Sequence, residues 1–174
     1  YIRDIKNLNE EKIREKQTEI TAQENTIVQV NAENEKIQEA LQTTYEHTDE
    51  ALRITQDELN KGFLAQSVLK KDIAALVKES KFFDENDVCP TCTQQITEDI
   101  KHEKKEEIAK KAEEVQTTYQ KVIDAVEATK VLVENLTNES YEQQALSSDL
   151  NQNNLKISMA HEAISKLEKE ITQI

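Results

Sequence analysis

From Ile108 to the end of the chain, apolar and small residues recur at alternating steps of three and four. The stripe runs through Ile108, Lys111, Val115, Thr118, Val122, Ala125, Thr129, Leu132, Leu136, Glu139, Gln143, Leu146, Leu150, Asn153, Ile157, Ala160, Ile164, Leu167, Ile171 and Ile174. A step of 3.5 residues held this long predicts one continuous helix whose a and d positions face a partner helix. The first half carries the same rhythm through Ile13, Ile20, Ile27, Val30, Asn34, Ile37, Leu41, Thr44, Thr48 and Ala51. It slips by one residue between Ala51 and Leu59, then resumes through Leu59, Phe63, Ile73 and Val77. Gly62 lies in this stretch and costs a helix interior about 1 kcal/mol relative to Ala, so a local irregularity is expected there.

Both stripes stop at Asp84-Glu85-Asn86-Asp87-Val88-Cys89-Pro90-Thr91-Cys92-Thr93. Asn and Asp favour turns, and Pro cannot continue a helix interior. Thr97 then reads as an N-cap, with Glu98 and Asp99 in the positive first turn of the next helix. The prediction is all-α: a long antiparallel coiled-coil hairpin with a Cys-Pro-Thr-Cys apex. Its parts are a first coiled-coil arm at 1–85, a turn at 86–96 and a second arm at 97–174. If the chain reverses around Pro90, facing residue numbers total about 180, which puts Val30 opposite Leu150 and Asn34 opposite Leu146. Past the slip, Leu59 would face Val122 and Ile73 would face Ile108. Such arms form a rod of roughly 115 Å. The alternative use of the stripes is dimerisation with another chain, which heptads alone do not exclude. Polar seam residues such as Asn34, Asn153, Gln143, Glu139 and Lys111 weaken the seam but set register.

Composition narrows the functions such a molecule can carry. One Gly and one Pro in 174 residues leave room for about one sharp reversal, and 4% aromatic residues cannot fill a thick core. The formal charge is −13, so the surface repels nucleic-acid phosphate and direct DNA binding by this segment is not expected. No apolar run suits a membrane span, and no signal-peptide pattern opens the chain. Two cysteines three apart make no disulfide framework, which points to a reducing, cytoplasmic setting. A start at Tyr1 and an end inside an apolar repeat suggest an internal piece of a longer protein.

Cys89 and Cys92 are the candidate metal ligands. A Cys-X-X-Cys turn brings two sulfurs to one metal, and Pro90 stiffens it. Structural zinc takes four ligands in a tetrahedron. His47 and His161 lie far down the arms, and His102 reads as a surface helical residue. The turn therefore offers two ligands, and a second copy of the chain must supply two more: one zinc per two chains, held by four thiolates. A thioredoxin-like redox pair, an inert loop disulfide and two unrelated thiols are the alternatives, although redox pairs belong to βαβ folds and no strand pattern is visible. Val88 and Ile96 bracket the turn and would suit packing between two tips.

The stretch Val88-Cys89-Pro90-Thr91-Cys92-Thr93-Gln94-Gln95-Ile96 resembles the zinc hook of the SMC-like DNA double-strand-break-repair ATPases. That family includes bacterial SbcC and the large subunit of a phage recombination exonuclease; the Lys-, Asn-, Ile- and Thr-rich composition leans toward a phage member. The remainder of the chain matches only as generic coiled coil. Many hooks of the family carry Gly after the second Cys, where this chain has Thr93. The resemblance implies that an ABC-type ATPase head, split between the two ends of the hairpin, works with a nuclease subunit on DNA ends, and that the hook joins two molecules. The segment itself lacks the glycines of a phosphate-binding loop and is not expected to hydrolyse ATP. Two further functions stay open: a purely structural rod or adaptor, and a redox-sensing hinge.

Overall fold

The computed structural model describes residues 2–174. The chain is all-α, with α1 at Ile2–Thr43, α2 at Thr48–Glu85 and α3 at Glu98–Ile171, and helix takes up 89% of it. Among the described residues there is no β-strand, only an isolated antiparallel bridge between Val88 and Gln95. The many threonines do not interrupt the helices because their hydroxyls turn back onto the carbonyl four residues earlier, as at Thr18, Thr43, Thr55, Thr117 and Thr129. No helix among the described residues is long and apolar enough to cross a membrane. The chain divides into two compact units: Tyr1–Asp49 with Asn138–Ile174, and Glu50–Thr137.

In the first unit, α1 and the C-terminal half of α3 run in opposite directions. Lys16 Nζ donates to Glu170 at 2.5 Å, Asn34 Nδ2 to Asn154 Oδ1 at 3.1 Å, and Tyr45 Oη to Glu142 at 2.8 Å. The partners lie further along α3 than a reversal around Pro90 requires: Asn34 meets Asn154, not the neighbourhood of Leu146. The shift is close to one heptad, so both stripes stay in the interface while every pairing changes. Val30, Asn34, Asn153 and Ala160 are buried along it.

The helix breaks at Thr44–His47, between α1 and α2. The slip in the stripe falls here and not between Ala51 and Leu59. After Leu41 the interface passes through half-buried Tyr45 to buried Thr48, leaving Thr44 exposed. On α3, Ser140 is buried and Glu139 is exposed, and Gln143, Leu146 and Ser147 are all half-buried. Ser140 Oγ donates to Asp49 Oδ1 across the gap at 3.1 Å. Both sides of the seam thus change phase at the same level, which is how inserted three- or four-residue steps are absorbed.

In the second unit, α2 and the N-terminal half of α3 pair in opposite directions around buried Leu59, Ile108 and Val126. Here the finer reading of the stripe is corrected. Lys111, Thr118, Ala125 and Leu132 are exposed, and the residue after each (Ala112, Tyr119, Val126 and Val133) faces inward instead. Phe63 and Val77 are likewise exposed, while Gly62 and Leu76 sit inside. Taken together, Ala112, Tyr119, Val126 and Val133 offer more apolar area than Lys111, Thr118, Ala125 and Leu132, even though Leu132 alone exceeds Val133, and that sum favours the observed phase. Gly62 is there for close approach: a Cβ at that position would stand 2.7 Å from Val126 Cγ2. The helix continues through it without a break.

Candidate metal centre

α2 ends where Asn86 turns its side-chain amide back to the carbonyl of Phe82, at 2.8 Å. The chain then forms a miniature hairpin. Ile96 N–H donates to the Asp87 carbonyl (2.8 Å), Cys89 N–H to Gln94 (2.9 Å) and Thr93 N–H to Cys89 (2.8 Å). The reversal centres on Thr91 and Cys92, later than Pro90. Thr97 starts α3 as expected, its hydroxyl accepting from Ile100 N–H at 3.4 Å and its carbonyl from Lys101 N–H at 3.0 Å.

Cys89 and Cys92 come within 3.5 Å of one another as free thiols. Two thiolates bound 2.3 Å from one tetrahedral zinc stand roughly 3.8 Å apart, so the pair needs little adjustment to hold such an ion. The Cys89 thiol is held below its ordinary value, chiefly by the backbone N–H of Cys92 and next by that of Thr91, both of which favour the thiolate. The Cys92 thiol is exposed and lies 3.6 Å from Gln94 Oε1. Backbone donors thus favour the thiolate at one sulfur while the second sulfur is open to the outside, so the two residues that could ligate a thiophilic metal are Cys89 and Cys92.

Thr93 has φ 60°, in the left-handed region. A β-branched residue there costs about 1–3 kcal/mol, and this is the position where many hooks of the resembling family carry Gly. The Thr93 hydroxyl donates to the Cys92 carbonyl at 2.7 Å, partly offsetting that cost. The turn conformation is therefore reached without glycine.

Among the described residues, no group of three or more His, Cys, Asp or Glu could hold a metal ion. His102 is surface-exposed and pairs with Glu106 at 3.7 Å, and His47 lies beside Glu46 at 3.8 Å. Val88 is 47% exposed, whereas Ile96 is half-buried.

Lys101 is a site residue that the pattern of apolar positions does not reveal. Its side chain is only 11% exposed, and Nζ donates to Asp87 Oδ1 at 2.5 Å and approaches Glu98 at 3.4 Å. That contact holds the Asp87 carboxyl below, and the Lys101 amine above, their ordinary values. The signal available in sequence was a cation in the first turns of a helix, where the macrodipole disfavours it and a carboxylate partner is needed. Lys105 and Asp84 form a second ion pair lower on the same two legs.

Comparison with protein-family models, with curated proteins and with solved structures finds no match to this chain.

Proposed function

We propose that this chain is the zinc-mediated homodimerisation and tethering module of a DNA repair and recombination ATPase. In this reading α1, α2 and α3 form an antiparallel coiled-coil hairpin with Cys89-Pro90-Thr91-Cys92 as its zinc-hook apex. The observation that carries the proposal is the pair of thiols 3.5 Å apart in the turn between two long helices. One apex supplies two of the four ligands that structural zinc requires; the apex of a second copy supplies the others. Each chain would contribute Cys89 and Cys92, and the metal would contribute cohesion, not catalysis. The ATPase head, the nuclease subunit and the DNA ends on which they act belong to the family that the hook sequence resembles, and would engage this segment through its ends.

Elemental analysis combined with mass determination tests the proposal. One zinc per two chains is expected, released by chelator together with dissociation. One zinc per monomer, or a dimer that holds no metal and ignores chelator, would contradict it. A metal-free monomer whose two thiols oxidise reversibly would favour the redox-sensing reading in its place.

A further inference from the structure

Building on the zinc-site reading above, we infer that Lys101 is a positioning residue for the Cys89–Cys92 loop, acting through Asp87 and not on the metal itself. Asp87 begins the ascending leg of the loop, two residues before Cys89, and its carbonyl accepts from Ile96 N–H on the descending leg at 2.8 Å. Its carboxylate is taken by Lys101, one turn into α3, at 2.5 Å. Asp87 is therefore held at both its main chain and its side chain by residues that follow the cysteines.

Without that second hold, the loop is closed by backbone hydrogen bonds at Ile96, Cys89 and Thr93, the first two of which form the Val88–Gln95 bridge, with the Asp84–Lys105 ion pair below them. An isolated two-stranded hairpin of this size is marginal in water. An exposed ion pair would add little. Lys101 differs because its side chain is largely covered while both carboxylate partners are 89% exposed. Its stem lies against the protein and delivers the ammonium to a fixed point, so the loop is drawn to a helix that is already ordered.

A second consequence concerns assembly. Two copies of a chain with formal charge −13 must bring like-charged tips together. Lys101 lies between Asp87 and Glu98, the acids nearest the loop on its two sides, and offsets their repulsion there. Positioning and charge compensation thus fall on one residue.

The test compares Lys101→Met and Lys101→Arg in the full chain, with helicity as the control for folding. In metal-free protein, amide hydrogen exchange at Ile96 and Thr93 should accelerate at least several-fold in Lys101→Met and stay near wild type in Lys101→Arg. With cobalt(II) as the probe, read by its thiolate charge-transfer and tetrahedral d–d bands, Lys101→Met should bind about 10- to 100-fold more weakly, the range typical for losing an outer support of a metal site. Lys101→Arg should recover most of that loss. Unchanged exchange and unchanged cobalt affinity in Lys101→Met would overturn the inference. Accelerated exchange in Lys101→Met, alongside a wild-type chain that binds no cobalt, would leave the positioning role standing and overturn the zinc reading instead.

Discussion

Gly62→Ala offers a test of close helix pairing in the second unit, because its sign depends on what lies opposite. In an exposed helix interior the substitution stabilises by about 1 kcal/mol, through lower backbone entropy in the unfolded chain and better helix propensity. At Gly62 the new methyl would meet Val126 Cγ2 at 2.7 Å, against about 3.5–4.0 Å for relaxed carbon contacts. Val126 is 5% exposed and β-branched, so in a helix it has essentially one rotamer to offer. Overpacking of this kind costs about 1–3 kcal/mol, which outweighs the propensity gain and leaves Gly62→Ala destabilised by about 1 kcal/mol. Val126→Ala alone removes two buried carbons and should cost roughly 2 kcal/mol. In that background the methyl added by Gly62→Ala enters vacated space, so the same substitution should now stabilise by about 1 kcal/mol. The coupling between the sites is then about 2 kcal/mol. Urea denaturation followed by circular dichroism at 222 nm, in chelator so that assembly does not contribute, gives all four stabilities. A Gly62→Ala chain more stable than wild type, with no sign reversal in the double variant, would show that α2 and α3 do not approach closely at this level.

Cysteines introduced at Asn34 and Asn154, in a chain with Cys89 and Cys92 replaced by Ser, should be joined within one chain by a short thiol-specific crosslinker. The pair Val30 and Leu150, about one heptad out of register, should not; the reverse outcome would restore a reversal around Pro90. Thr93→Gly relieves about 1–3 kcal/mol of left-handed strain and should bind cobalt(II) at least as tightly as wild type. Thr93→Val keeps the strain but loses the hydroxyl bond to the Cys92 carbonyl, and should bind several-fold more weakly. Glu107, bonded by Lys104 and Lys111, is pushed down to about 2 from an ordinary 4.5. Because the folded value is the lower one, its stabilisation is present above pH 4.5 and is lost as pH falls from there toward 2. Glu107→Gln should therefore lower Tm at neutral pH by an amount that shrinks as pH falls from 4.5 toward 2, and the carboxyl resonance of Glu107 should titrate well below 4.5.

The helices and their interruption near Cys89 were legible because periodicity and turn residues act locally. Register was not. A stripe that repeats every seven residues looks the same after a shift of seven, so Asn34 suits Leu146 or a residue one heptad beyond it equally well as a pattern. The choice between them rests on side-chain contacts such as Asn34 with Asn154, which a seven-residue pattern does not encode. The phase error in α3 has another origin. Steps of three and four can begin with either, and Val126 and Val133 beside exposed Ala125 and Leu132 show that the summed apolar volume, not each residue in turn, selects the face. In the loop, both thiols were visible from their spacing, but neither the left-handed Thr93 nor Lys101 was. The first is a backbone state that propensity argues against, and the second is a contact between residues on opposite legs.

In the proposed function, cohesion between two copies resides in Cys89 and Cys92 and not in the helices. Sedimentation equilibrium of the zinc-loaded chain, of the same sample in chelator, and of the Cys89→Ser/Cys92→Ser variant tests it most directly. The helical seams lie outside the substituted positions, so helicity should be equal in all three samples. A dimer is predicted only in the first, of twice the 20.0 kDa chain mass, and monomers in the other two. A double variant that remains dimeric at micromolar concentration would place the association in the helices and contradict that claim.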